Sequence, residues 1–89
     1  QKSRNDKTSM MFSLKDRPGA LYDVLTPFKK AKINMTKIES RPSKRKAWEY
    51  IFFVDVEGHF DDKKLKKAVE NMKKECIFLK ILGSYPSGD

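Results

Sequence analysis

After a polar start the chain begins to alternate. Met10, Phe12 and Leu14 recur at every second position, with Ser9, Met11 and Ser13 between them. A period of two marks a strand, because successive side chains point to opposite faces. The stretch Thr8 to Leu14 is therefore expected as strand, and Asp16-Arg17-Pro18-Gly19 ends it. Proline has the φ of a first helical turn and no amide proton to waste there, so a helix should start about this point. Ala20, Leu21, Val24, Leu25, Phe28 and Ala31 then return at helical spacing, giving one apolar face. Pro27 lies within that stretch and removes one intrahelical bond, which predicts a kink or a loosened last turn.

Ile33 to Pro42 reads as a second strand, Pro42-Ser43-Lys44-Arg45-Lys46 as a turn, and Trp48 to Val56 as a third strand. In the third, Tyr50, Phe52, Val54 and Val56 fall on one side and Ile51 and Phe53 on the other, so it should be central and largely covered on both faces. Gly58-His59-Phe60 is a loop, Asp61 an expected N-cap with Asp62 in the first turn, and Leu65, Ala68, Val69 and Met72 the stripe of a second helix. Cys76 to Leu82 completes the pattern as a fourth strand. The order β-α-β-β-α-β implies an α+β fold, a ferredoxin-like sandwich with a four-stranded antiparallel sheet and both helices on one face. That architecture hosts enzymes, metal carriers, RNA binders and ligand sensors alike, so it does not decide function.

With 89 residues there is room for one core. A chain this short buries only about 60–65% of its unfolded surface, and self-association would add to that. The net charge of +8 and pI near 9.7 raise the prospect of anionic partners. Basic residues gather in two blocks, Lys63, Lys64, Lys66, Lys67, Lys73 and Lys74 on the solvated face of a helix, and Arg41, Lys44, Arg45 and Lys46 at a hairpin tip. Neither is interleaved with aromatics as a base-stacking groove would be, so no nucleic-acid partner is expected. No apolar run approaches the roughly 20 residues that span a bilayer, so no membrane association is expected either. The polar first residues cannot form a signal peptide. A single cysteine, Cys76, excludes an internal disulfide and reads as a reduced, buried thiol in a strand, which suits a cytoplasmic protein. The chain does not begin with Met, as expected of a piece of a longer protein.

Catalytic chemistry is hard to assemble from these residues. His59 is the only histidine, in a loop without a paired nucleophile, and reads as a residue that orders the turn before the second helix. One His and one Cys make no ordinary zinc site, and no phosphate-binding glycine loop occurs. Asp55 and Glu57 are expected to be solvated. No catalytic residue, metal or cofactor is therefore expected. An RNA-binding module of the same topology would carry small residues within its third-strand aromatic pattern. Here Glu49 sits in Lys46-Ala47-Trp48-Glu49-Tyr50-Ile51-Phe52, beside the platform, where it would repel phosphate.

One turn has a use beyond chain reversal. Asp16-Arg17-Pro18-Gly19-Ala20-Leu21 presents amide protons at a helix start, where the dipole favours an anion. Gly19 lets a small ligand approach the main chain, and Asp16 could meet an ammonium. An α-amino acid needs both, although the same residues also suit a plain strand-to-helix turn.

The stretch Lys15 to Leu21, containing Gly19-Ala20-Leu21, followed by Ile33-Asn34-Met35-Thr36-Lys37-Ile38-Glu39-Ser40-Arg41-Pro42, resembles the ACT domain of prephenate dehydratases, which close the phenylalanine branch of aromatic amino-acid synthesis. The likeness continues through Tyr50 to His59 and on to Leu82-Gly83-Ser84-Tyr85-Pro86. It implies an ACT domain over 8–86, with a polar segment 1–7 before it and a tail 87–89 after it. It further implies feedback control of L-phenylalanine biosynthesis, with L-phenylalanine bound between two subunits of a homodimer or tetramer. Asp16, Pro18, Gly19, Ala20 and Leu21 of one subunit and Ile33, Asn34 and Met35 of the other would form the site. Asn34 would bond both polar ends of the ligand through its amide. Glu39, Ser40, Arg41 and Pro42 match the second regulatory motif, with Arg41 expected to pair with Glu39 or another carboxylate. Tyr22 departs from the small aliphatic residue common in the family. The dehydratase domain itself would be covalently attached and lie outside these residues. The regulatory domain of aromatic amino-acid hydroxylases shares Glu-Ser-Arg-Pro and Phe-Ser-Leu-Lys, but the Gly58-His59 loop and the Gly83 to Pro86 ending fit the dehydratase better.

Overall fold

A computed structural model describes residues 6–15, 17–44 and 49–86. The elements run β1 (Asp6–Lys15), α1 (Ala20–Lys30), β2 (Met35–Pro42), β3 (Glu49–Glu57), α2 (Lys63–Lys73) and β4 (Phe78–Pro86). The strands form one antiparallel sheet in the order β2-β3-β1-β4, so β1 and β3 are central and β2 and β4 are edges. The expected α+β sandwich is what the chain adopts.

The core lies between sheet and helices. Met10, Phe12 and Leu14 of β1 and Val54 and Val56 of β3 meet Ala20, Val24 and Phe28 of α1 and Leu65, Ala68, Val69 and Met72 of α2. Phe12 and Phe52 stack across the central strand pair at 5.5 Å between ring centres. Each of these positions belongs to one phase of its own period, two in the strands and 3.6 in the helices, which brings all of them to one layer. The opposite sheet face carries Ser9, Met11, Phe53 and Asp55, and it is only partly covered.

Several boundaries move for physical reasons. β1 begins at Asp6, two residues before the expected start at Thr8, because the Asp6 carbonyl accepts the Gly58 amide and the fully buried Thr8 donates to the Gly58 carbonyl at 2.7 Å. β2 begins at Met35 because Ile33 still closes α1 through its bond to Phe28, and Asn34 is the joint whose carbonyl first meets β3. β4 starts at Phe78 and runs past Gly83 to Pro86, held by Thr8–Ser84 and Ser9–Tyr85 hydroxyl contacts of 2.7 and 2.8 Å. Cys76 accordingly precedes the strand rather than sitting within it. The N-cap of α2 is Asp62, not Asp61, and its carboxylate accepts the His59 amide proton instead of capping the helix. Pro27 leaves α1 intact through Lys30, and its carbonyl still accepts the Ala31 amide at 3.0 Å. Trp48 lies outside the described residues.

Candidate functional site

The two segments singled out by sequence sit at opposite ends of α1. At its start Gly19 is the N-cap residue, in the left-handed region with φ 78°, and a β-carbon there would meet nothing within 4 Å. The turn closes through Ala20 N–H to the Arg17 carbonyl at 3.2 Å and Asp23 N–H to the Gly19 carbonyl at 2.9 Å. No side chain caps the helix, and the described residues give the Leu21 and Tyr22 amides no backbone acceptor. These free donors, at the positive end of the helix dipole and beside open space, can receive a carboxylate. Ala20 is buried in the core and Leu21 half-buried, while Pro18 is exposed and Tyr22 is 72% exposed. Asp16, the expected ammonium acceptor, lies outside the described residues.

At its other end α1 stops in a compact hydrogen-bonded reversal. Lys32 N–H donates to Lys29 and Ile33 N–H to Phe28, and Lys32 takes φ 57°. This is the Schellman closure, usually built with glycine at the left-handed position. Ile33 is buried with Phe28 in the core, and the Asn34 that follows is exposed. The Asn34 carbonyl accepts the Glu57 amide at 2.9 Å, which fixes its backbone. Its side-chain amide has no partner among the described residues. Met35 is half-buried at the start of β2. A cleft of about 210 Å³ opens here between Lys32, Ile33, Asn34, Glu57, Gly58, Asp62, Lys64 and Leu65.

Within one copy the two ends do not meet. Eleven helical residues separate them, about 16 Å at 1.5 Å per residue. An amino acid cannot touch both in a single chain.

The second motif lies along β2. Glu39 and Arg41 project from the open sheet face, where Glu39 pairs with Lys37 at 3.4 Å and the Arg41 guanidinium lies over the Phe53 ring at 5.2 Å. Arg41 thus rests on an aromatic face, and Glu39, its expected partner, is taken by Lys37. Ser40 and Pro42 alternate with these two and are exposed. Asp55 is not simply solvated, since it accepts the Ser9 hydroxyl proton at 2.6 Å. His59 is buried, its Nδ1 accepting the Asp61 amide at 3.1 Å, and orders the turn into α2 as expected. The Cys76 thiol is pushed up to about 11 by burial and by the neighbouring Glu75, which leaves it protonated and a poor nucleophile near neutral pH.

Among the described residues no cluster of three or more His, Cys, Asp or Glu could hold a metal ion, and no helix is long and apolar enough to cross a membrane. Sequence reasoning missed Arg17. Its guanidinium reaches Asp23 at 3.3 Å and Glu75 at 3.6 Å, tying the start of α1 to the end of α2. Nothing in its local spacing signals a partner 58 positions away.

Comparison with known proteins decides the family. The ACT domain model matches residues 8–73. The chain belongs to the ACT domain family. Over 82 residues this ACT domain is 58% identical to the bifunctional chorismate mutase/prephenate dehydratase of Aquifex aeolicus, covering 92% of the chain and 23% of the relative. It therefore spans about a quarter of that relative's length. Its fold matches prephenate dehydratase from Arthrobacter aurescens, solved in complex with L-Phe, with a TM-score of 0.92 and 32% identity over 100% of this chain and 29% of the other. A quorum-quenching acylase, GqqA, gives the same TM-score at 31% identity, over 99% of this chain and 45% of its own.

Proposed function

We propose that this ACT domain senses L-phenylalanine for a prephenate dehydratase and passes feedback inhibition to a covalently attached catalytic domain. The observation that carries the reading is the pair of unused donor sets at the two ends of α1. The Leu21 and Tyr22 amides suit the carboxylate of an amino acid, and the Asn34 side chain suits its polar end from a second copy. Two copies are required because one chain holds these groups about 16 Å apart. β2 supports such an assembly: it follows directly from Asn34, runs along a sheet edge, and is exposed at every residue after Met35. The dehydratase relatives and the L-Phe bound to one of them favour phenylalanine as ligand. The likeness to an acylase means that shape alone does not set the attached chemistry, and the sequence relatives favour the dehydratase. In this reading the protein is cytoplasmic.

The ligand would act by binding the closed assembly better than the open one, each tenfold difference in affinity shifting the balance by about 1.4 kcal/mol. The test is calorimetry with L-phenylalanine, tyrosine and tryptophan on the chain, with mass followed by light scattering. Saturable heat with phenylalanine, accompanied by a rise in mass or with a dimer already present, is expected. Absence of heat with a confirmed dimer would sink the proposal. Asn34→Ala should weaken binding about tenfold or more, and unchanged affinity would remove Asn34 from the site.

A further inference from the structure

A wide concavity runs between the two motifs, meeting the glycine turn at Tyr22 and the Asn34 cleft at Lys64. It is a groove of about 980 Å³ between α1 and α2, lined on one side by Tyr22, Asp23, Thr26, Pro27, Lys30 and Ala31. The other side carries Lys64, Lys67, Ala68, Asn71, Lys74 and Glu75. Each side is a stripe at three- and four-residue spacing, the geometry of two helix faces meeting side by side.

Two features set its character. Its floor is small and apolar, with Pro27, Ala31 and Ala68, so another backbone can come close. Its rim is cationic, and the charge is uncompensated. The groove's two carboxylates, Asp23 and Glu75, are both engaged by Arg17. Lys30, Lys64, Lys67 and Lys74 form no ion pair among the described residues. Four unpaired lysines along one concavity concentrate a positive potential there.

We infer that this groove is a docking site for an amphipathic helix of a partner protein, one with a narrow apolar stripe flanked by Asp and Glu. The small floor takes the stripe and the lysines meet the carboxylates, as in helix-in-groove recognition. A second copy of the chain is disfavoured as occupant. Two such faces would oppose lysine to lysine, which is repulsive. Single-stranded nucleic acid is less well served, since Tyr22 is the only aromatic among the lining residues and base stacking needs a series of them. This surface borders the proposed phenylalanine site, sharing Tyr22 with the glycine turn and Lys64 with the Asn34 cleft, but helix docking here does not rest on that reading.

The test uses the chain labelled with nitrogen-15, without phenylalanine, titrated with three probes. The first is an 18-residue peptide with a Leu/Ala stripe flanked by Glu, the second its permuted isomer of equal composition and charge, the third a dT oligonucleotide. Saturable shifts at Thr26, Ala31, Ala68 and Asn71 are expected with the first peptide alone. Lys64→Gln combined with Lys67→Gln should weaken it about tenfold with the spectrum of the folded chain retained. Equal binding of the permuted peptide would reduce the groove to unspecific charge attraction and overturn the inference. So would shifts confined to another face, tighter binding of dT, or no shift at millimolar peptide. The outcome for phenylalanine is read separately by calorimetry, so either proposal can fail without the other.

Discussion

The two ends of α1 use the same backbone conformation with opposite residues. Gly19 holds φ 78° before the helix and Lys32 holds φ 57° after it. At Lys32 the left-handed strain is offset locally by the two reversal bonds to Phe28 and Lys29 and by burial of Ile33 with Phe28. At Gly19 the closure is lighter: the turn bond from Ala20 to Arg17, no side-chain cap, two amides without an acceptor among the described residues, and open space where a side chain would begin. The closed end spends its hydrogen-bonding groups within the chain, and the open end keeps them for something else. A lysine is tolerated where the contacts over-determine the turn. A glycine stands where one turn bond, from Ala20 N–H to the Arg17 carbonyl, spans the reversal.

The largest break in this contrast should come from the clasp at the closed end. Phe28→Ala removes a buried ring and is expected to cost about 3–5 kcal/mol, a large part of the stability of so small a domain. Urea unfolding should show a greatly lowered midpoint, and a loss below 1 kcal/mol would mean that Ile33 and its neighbours hold the reversal without the ring. Gly19→Ala is next. The strain of a left-handed alanine should cost about 1–2 kcal/mol, although no atom stands in its way. A neutral effect would show that the turn shifts freely. Lys32→Gly should act in the other direction. Relief of strain less the added chain entropy of glycine leaves a gain of about 0.5–1 kcal/mol, read as a raised midpoint at constant slope. The smallest effect is that of Asn34→Ala, whose exposed side chain should matter to stability by no more than about 0.5 kcal/mol. A larger loss would show the amide to be structural and weaken its case as a ligand group.

The elements that could be read from the sequence are those with local causes. Met10, Phe12 and Leu14 announced β1, and Leu65, Ala68, Val69 and Met72 announced α2, because period and burial coincide there. The Gly19 turn and Asn34 could be named from local motifs. What escaped depended on distant partners. Asp6 looks like polar leader until Gly58 supplies its bond, and Ser84 and Tyr85 fall beyond the expected end of the fourth strand at Leu82 until Thr8 and Ser9 bond them. The shift of the α2 cap from Asp61 to Asp62 turned on the His59 amide, and the left-handed Lys32 has no residue signal at all, since lysine is not a turn former. The helix-to-helix groove was equally hidden. Its lysines read as a solvated face until Arg17 proved to occupy the only carboxylates among its lining residues.

The pairing of Asp6 with Pro86 gives the domain a handle. The polypeptide enters and leaves at a single corner, next to Gly58, whose amide bonds the Asp6 carbonyl at 2.8 Å. β1 then runs ten residues away from that corner, about 30 Å at strand rise, to reach the Gly19 turn. Tethers leaving by Asp6 and Pro86 would therefore hang from the Asn34 end, and within one copy the glycine end lies far from them. In the proposed assembly, where the Asn34 end of one copy meets the Gly19 end of the other, a connection leaving at this corner would pass close to the ligand, so the attached domain would feel the site through its tether.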